Sequence, residues 1–157
     1  MRLTTFSDYS LRVLMYLAQQ GDRLATIEEI ASAYGISRSH LMKVVHQLAL
    51  GGTVETVRGK GGGLRLALDP AQIRLGQVLR QTEGEGPIVE CLSGEPARCR
   101  ITPVCKLPAL LTRAFDALYA ELDRHTLADL VTRPAAFQRV LVQRRPRCAQ
   151  RPCERPS

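Results

Sequence analysis

Cys91, Cys99 and Cys105 fall in one short segment at the spacing C-x7-C-x5-C. Thiolates are the usual ligands of iron–sulfur clusters and are also good ligands for zinc. Zinc knuckles use close C-x2-C pairs, and the chain has none. The wider spacing suits a larger group that a loop can wrap around, which favours a cluster over zinc. Three unrelated structural cysteines are the plainer alternative. All three lie in a segment with little apolar periodicity, so there is little core for them to join. Three thiolates leave one iron of a cluster short of a ligand, and a carboxylate or a small molecule could fill that place. A weakly held position on a redox metal is what a gas sensor requires. Glu85, Glu90 and Glu95 are the acids nearest in sequence, and Asp8 is remote.

Two further cysteines, Cys148 and Cys153, are spaced C-x4-C in a basic tail. A redox switch or accessory metal site there would need a held geometry. The surrounding Arg-, Pro- and Gln-rich sequence offers none, so they read as exposed thiols in a disordered end. Five cysteines, an odd number, in a chain whose first residues lack the apolar core of an export signal argue against a complete disulfide framework. No C-x-x-C pair, no histidine close to a cysteine and no cofactor loop supports a thiol enzyme, so the chain is expected not to be one.

The elements that must position these residues begin with 157 residues, 45% of them hydrophobic, enough for one ordinary domain or a small domain with an appendage. No apolar run approaches the length that spans a membrane, and the expected location is the cytoplasm. The net charge of +7 is unevenly spread: residues 1–82 hold ten basic and six acidic side chains, residues 83–142 seven and eight, and residues 143–157 five and one. A basic front half suits a module that binds nucleic acid.

Residues 9–20 read as an amphipathic helix, with Leu11, Leu14 and Ala18 on one face and Val13 and Leu17 widening it. Thr26 and Glu29 form a capping box for a second helix with Ile27, Ile30, Ala31 and Tyr34 inward, closed by Gly35. Ser37 caps a third helix over residues 38–50, with Leu41, Val44, Val45 and Leu48 inward. Two helices joined by a tight glycine turn match the helix-turn-helix. Residues 54–57 and 64–68 alternate as strands around a glycine cluster, which predicts a basic hairpin, or wing. A short helix is expected over residues 75–82 and an irregular loop over 84–105. From Lys106, a stripe of Leu107, Leu111, Ala114, Phe115, Leu118 and Leu122 marks a long helix, and residues 126–131 a short terminal one.

In a winged helix, the third helix is placed to enter the major groove with its N-terminal residues toward the base edges. Arg38, Ser39, His40 and Lys43 are the candidates, against the alternative of a merely solvated face. Arg58, Lys60 and Arg65 in the hairpin suit DNA phosphates or a minor groove. A nucleotide-binding loop is excluded because Gly61 follows Lys60 where Ser or Thr is needed, and Val54 stands where the first glycine belongs.

Several stretches carry a resemblance: residues 3–9 (LTTFSDY), 57–66 (VRGKGGGLRL), 99–105 (CRITPVC) and 121–130 (ELDRHTLADL). Together they resemble the NsrR-type nitric-oxide-sensing repressors among the Rrf-type winged-helix iron–sulfur regulators, over roughly residues 1–142. The resemblance agrees with a mainly α fold with a small β-hairpin wing, divided into a winged helix-turn-helix domain (1–82), a cluster-binding loop (83–105) and a dimerisation helix with a C-terminal helix (106–142); the disordered basic tail (143–157) is read from its composition and lies outside the resemblance. It implies a homodimer on an operator in double-stranded DNA, a 4Fe–4S cluster on Cys91, Cys99 and Cys105 (rather than 2Fe–2S or zinc), Asp8 of the partner protomer as fourth ligand, and nitric oxide as effector. Arg12 lies one turn beyond Asp8, where an i,i+4 pair would orient the carboxylate. Two departures stand out. The seven-residue gap between the first two cysteines is long for this group, and Pro108 stands where the related cluster-biogenesis regulators carry a histidine. The second departure leaves Asp8 the better candidate. The alternatives are a zinc-stabilised winged-helix module, or a related regulator of cluster supply or redox state.

Overall fold

The computed structural model describes residues 2–84, 86, 89–92 and 99–143. Glu85, Glu95, Cys148, Cys153 and the tail from residue 144 lie outside the described residues. The protein is mainly helical with one antiparallel hairpin, as the sequence predicts.

Helix α1 spans Thr5–Ala18, four residues earlier at its start than the apolar pattern indicates and two shorter at its end. The early start comes from capping. The Thr4 hydroxyl accepts the Ser7 amide at 3.1 Å, and the Thr4 amide donates to Glu83 Oε1 at 2.8 Å. Ser7 and Ser10 are fully buried, with the Ser10 hydroxyl donating to the Phe6 carbonyl at 2.8 Å. Small polar residues thus occupy the inner face where a search for apolar side chains finds nothing.

Helix α2 (Ile27–Tyr34) has the expected capping box, and Gly35 ends it in the left-handed region at φ 67°. Helix α3 (Arg38–Leu50) is capped by Ser37 and buries Leu41, Val44, Val45 and Leu48, the four residues its periodicity selects. Strands β1 (Val54–Val57) and β2 (Gly63–Leu66) pair with Glu55 opposite Arg65. The second strand begins one residue before the expected 64–68 and ends two residues sooner, with the Ala67 amide still donating to the Thr53 carbonyl in register at 3.0 Å. The glycine cluster has a steric reason: a Cβ on Gly62 would stand 2.2 Å from the Val57 carbonyl oxygen, and one on Gly63 2.7 Å from that of Ala25. Leu64 and Ala25 exchange hydrogen bonds of 2.9 and 2.7 Å, which ties the wing to the chain just ahead of α2.

Helix α4 (Leu75–Glu83) packs on α1 and on the long helix α5 (Leu107–Leu122). The short helix α6 (Leu127–Leu130) carries a second capping box, Thr126 with Asp129. A further helix, α7 (Pro134–Gln143), was not expected; it packs against α2 and runs one residue past the anticipated boundary at 142. Its inner side carries Phe137 and Leu141 at helical spacing, a signal too short to separate from the basic tail by periodicity alone.

The end of α5 is clamped to the base of the winged helix. Arg80 holds both Asp123 oxygens at 2.6 and 3.0 Å, and Arg74 donates to the Asp123 carbonyl at 2.6 Å. Main-chain bonds join Leu75 to His125 at 3.0 Å and Leu127 to Ile73 at 2.9 Å. Leu127 is 0% exposed and belongs to the same core as Leu14, Ile30, Leu48 and Val78. One apolar core therefore runs from α1 to α6. Leu127→Ala should lower the unfolding free energy by about 2–5 kcal/mol, read as a shift in the urea midpoint with the denaturant slope unchanged.

Candidate nucleic-acid interface and metal-ligating segment

The turn 35–37 fixes how α3 leaves α2. Ile36 is buried, and Ser37 caps α3 by accepting the His40 amide at 3.4 Å. With Leu41, Val44, Val45 and Leu48 turned inward, Ser39, Met42, Lys43, His46 and Gln47 remain exposed. The sequence-predicted candidates separate into two sets. Ser39 and Lys43 project on this outer face. Arg38 is paired with Glu28, and the His40 ring lies 6.2 Å from that of Tyr9 on α1. Met42, which sequence reasoning passed over as a reader, is 56% exposed on the same stripe. Its signal was its position between Ser39 and His46 at helical spacing.

In the wing, Arg58 and Lys60 are exposed and carry no ion pair among the described residues. Arg65 donates to Glu55 at 2.9 Å across the hairpin. That hydrogen bond, with the charge of Arg65, holds the Glu55 carboxyl below its ordinary range. The pair follows from the strand register, which the sequence pattern leaves open until the hairpin is built.

The cysteine segment is held by short turns. Cys91 sits in a 3₁₀ turn, Glu90–Leu92, and is half-buried. Cys99 is exposed, and its carbonyl accepts the Thr102 hydroxyl at 2.8 Å. A second 3₁₀ turn, Thr102–Val104, delivers Cys105, half-buried, to the start of α5. All three thiols are unpaired. Among the described residues, no three Cys, His, Asp or Glu side chains in one protomer converge to hold a metal ion. The donor set fits an iron–sulfur group in kind: three free, accessible thiols on turns that flank one segment.

Asp8 lies elsewhere in the protomer. Arg12 grips its carboxylate through Nε at 3.0 Å and the terminal nitrogen at 2.9 Å, the i,i+4 pair expected from the sequence. Both side chains are well exposed, so the pair contributes only about 0.3–0.5 kcal/mol. Asp8 and Arg12 border a cavity of about 680 Å³ with Met15, Tyr34, Phe137 and Val140, and none of the three cysteines lines it. Burial pushes the Tyr34 phenol up to about 12.

No residue of α5 is buried. The stripe is split between two environments. Phe115, Leu118 and Leu122 border a cavity of about 950 Å³ against Leu79 of α4, whereas Leu107 and Leu110 are exposed, as are Ile101 and Val104 just ahead of the helix. Among the described residues, no helix is long and apolar enough to cross a membrane.

Comparison with known proteins agrees with this architecture. The family model described as Rrf2, iron-dependent transcriptional regulator, matches residues 3–133. The HTH-type transcriptional regulator NsrR of Bacillus subtilis is 46% identical over 142 residues, 90% of this chain and 97% of that protein. Among solved structures, CymR of B. subtilis, described as a global cysteine regulator, superposes with a TM-score of 0.67 at 30% identity, covering 84% of this chain and 97% of that one. IscR of T. potens superposes at 0.65 with 26% identity, covering 84% and 87%. A winged helix with a basic wing, three free thiols ahead of a long helix, and a family match over most of its length identify this chain as a DNA-binding transcriptional regulator, not an enzyme, that belongs to the Rrf2 family of iron-dependent regulators.

Proposed function

We propose that this chain is a homodimeric cytoplasmic repressor whose operator affinity is set by a nitric-oxide-sensitive 4Fe–4S cluster. The observation that carries this reading is the set of three unpaired thiols, Cys91, Cys99 and Cys105, in a chain 46% identical to a regulator named NsrR. These three would hold the cluster, and Asp8 of the partner subunit would supply the fourth ligand. In that arrangement the fourth ligand comes from the second chain, so Asp8 need not meet the cysteines within one protomer. When bound, the cluster supplies iron that nitric oxide attacks. The chain's own residues do the rest. The segment 83–105 presents thiolates, α1 presents Asp8 in a geometry preset by Arg12, and residues 106–142 bring the two copies together, with Leu107 and Leu110 as exposed apolar contacts. Residues 1–82 read the operator. Ser39 and Lys43 face the base edges, with Arg38 and His40 at the rim, and Arg58, Lys60 and Arg65 neutralise phosphates.

Protein purified without air should be brown, and nitric oxide should bleach it while releasing operator DNA. Cys99→Ala should be colourless; a fully loaded cluster in that variant would remove the cysteine segment from the mechanism. Asp8→Ala should retain a cluster but lose most of the difference in operator affinity before and after bleaching. Zinc in place of iron in the anaerobic protein would replace this reading by a zinc-stabilised module.

The wing makes a separate prediction. Lys60→Ala should reduce the slope of log K against log salt by about 0.9, one phosphate contact. Glu55→Gln should do the opposite, because it frees Arg65 and removes a repelling carboxylate, and should tighten operator binding at low salt. An unchanged slope in both variants would take the wing out of the phosphate contacts.

A further inference from the structure

Residues 144–157 carry five arginines, Arg144, Arg145, Arg147, Arg151 and Arg155, against one acid, Glu154. That net charge of +4 equals the balance of residues 1–82, ten basic and six acidic side chains, but it is held in fourteen residues rather than eighty-two. Like charges packed so closely repel one another, and a polyanion relieves the repulsion. The rest of the chain offers little to attract them. Residues 83–142 are nearly balanced, with seven basic side chains and eight acidic, and residues 1–82 are themselves basic.

Helix α7 decides where this charge enters the molecule. Phe137 and Leu141 are half-buried, and with Val140 they border the cavity of about 680 Å³ that Met15 of α1 and Ala33 and Tyr34 of α2 also border. The helix packs on α2, whose last residue, Tyr34, stands three residues ahead of Ser37, the cap of α3. Because α7 ends at Gln143, Arg144 follows directly from a helix seated on the helix-turn-helix. Fourteen residues span at most about 46–50 Å, more than the roughly 30 Å diameter of a small domain. From α2 that reach covers every side of the reading head. The head itself has few free cations: Lys43, Arg58 and Lys60 are exposed without a carboxylate partner among the described residues, whereas Arg38 and Arg65 are paired.

We infer that residues 144–157 are a basic arm, delivered to the reading head by α7, that neutralises phosphates of double-stranded DNA beside the stretch met by α3 and the wing. Arginine can hold a phosphate through two N–H groups at once, and such contacts add affinity without reading sequence. Attachment to the head keeps the arm at high effective concentration once α3 is on the duplex. The inference rests on the DNA binding that the family shows and not on the cluster, so the two readings fail separately.

The test compares the full chain with a variant ending at Gln143, in reductant, so that Cys148 and Cys153 form no cross-links. The probes are a mixed-sequence duplex and an operator selected from a random pool by the full chain. Removing residues 144–157 should lower the slope of log K against log salt by about 2 or more, since each lost phosphate contact is worth about 0.9. At low salt it should weaken binding to both duplexes by about tenfold or more, leaving the discrimination between them within about twofold. Arg144→Gln, Arg145→Gln and Arg147→Gln combined in the full chain should show part of the same loss, and lysine at the same three positions should keep the wild-type slope. An unchanged slope in the truncated chain overturns the inference, and so does a loss confined to the operator. Should truncation lower Tm, the triple glutamine variant decides, and an unchanged slope there overturns the inference. Phosphatidylserine vesicles that retain the full chain but not the truncated one, with the DNA slope unchanged, would assign the arm to a membrane surface instead.

Discussion

Helix α1 buries Val13, Leu14 and Leu17, and four elements, α3, α4, β2 and α6, pack on it. That apolar contact sets the geometry on which everything else depends. Burying three such side chains contributes roughly 5–9 kcal/mol before conformational entropy is set against it, which makes α1 the least movable element of the fold. The same helix turns Asp8 and Arg12 outward. A carboxylate placed on the most firmly anchored helix can report a change in its own bonding to the whole winged helix, where the same group on a loop would absorb the change locally.

The helix is anchored at its start as well as along its side. Thr4 caps it and binds Glu83, the last residue of α4, so the residues just before the cysteine segment and those just before Asp8 share one hydrogen-bonded junction. At the other end of the segment, Cys105 leads directly into α5, whose far end is clamped by Arg80 and Arg74 on Asp123. Gly76 makes that clamp possible, since a Cβ there would lie 2.2 Å from the Asp123 carboxylate. The cysteines are thus carried between two fixed points, although their own turns are short.

Charge is distributed with equal economy on the reading face. Glu28 and Glu55 each engage one arginine, Arg38 and Arg65, while Lys43, Arg58 and Lys60 have no carboxylate partner among the described residues. The paired arginines can meet phosphate only by exchanging one anion for another, whereas the unpaired cations meet it at no such cost. Affinity then comes mainly from the free cations, and discrimination from the groups that α3 exposes between them.

Much of this was legible in the residues. The capping box at Thr26, glycine at 35, the Ser37 cap and inward residues at i, i+3, i+4 and i+7 dictate α2 and α3 locally, and local rules need no knowledge of the fold. The three thiols mark themselves as candidate ligands by type and clustering, while their spacing leaves zinc and a cluster both open. What the sequence could not determine depends on residues far apart in the chain. The start of α1 needed Glu83, seventy-nine residues away. The pairing of Arg65 needed the register of the hairpin. The admission of Leu127 to the winged-helix core needed α5 to run its full length and turn back. Short-range sterics and hydrogen bonding write the elements into the sequence; only packing decides which of their charged and apolar faces meet.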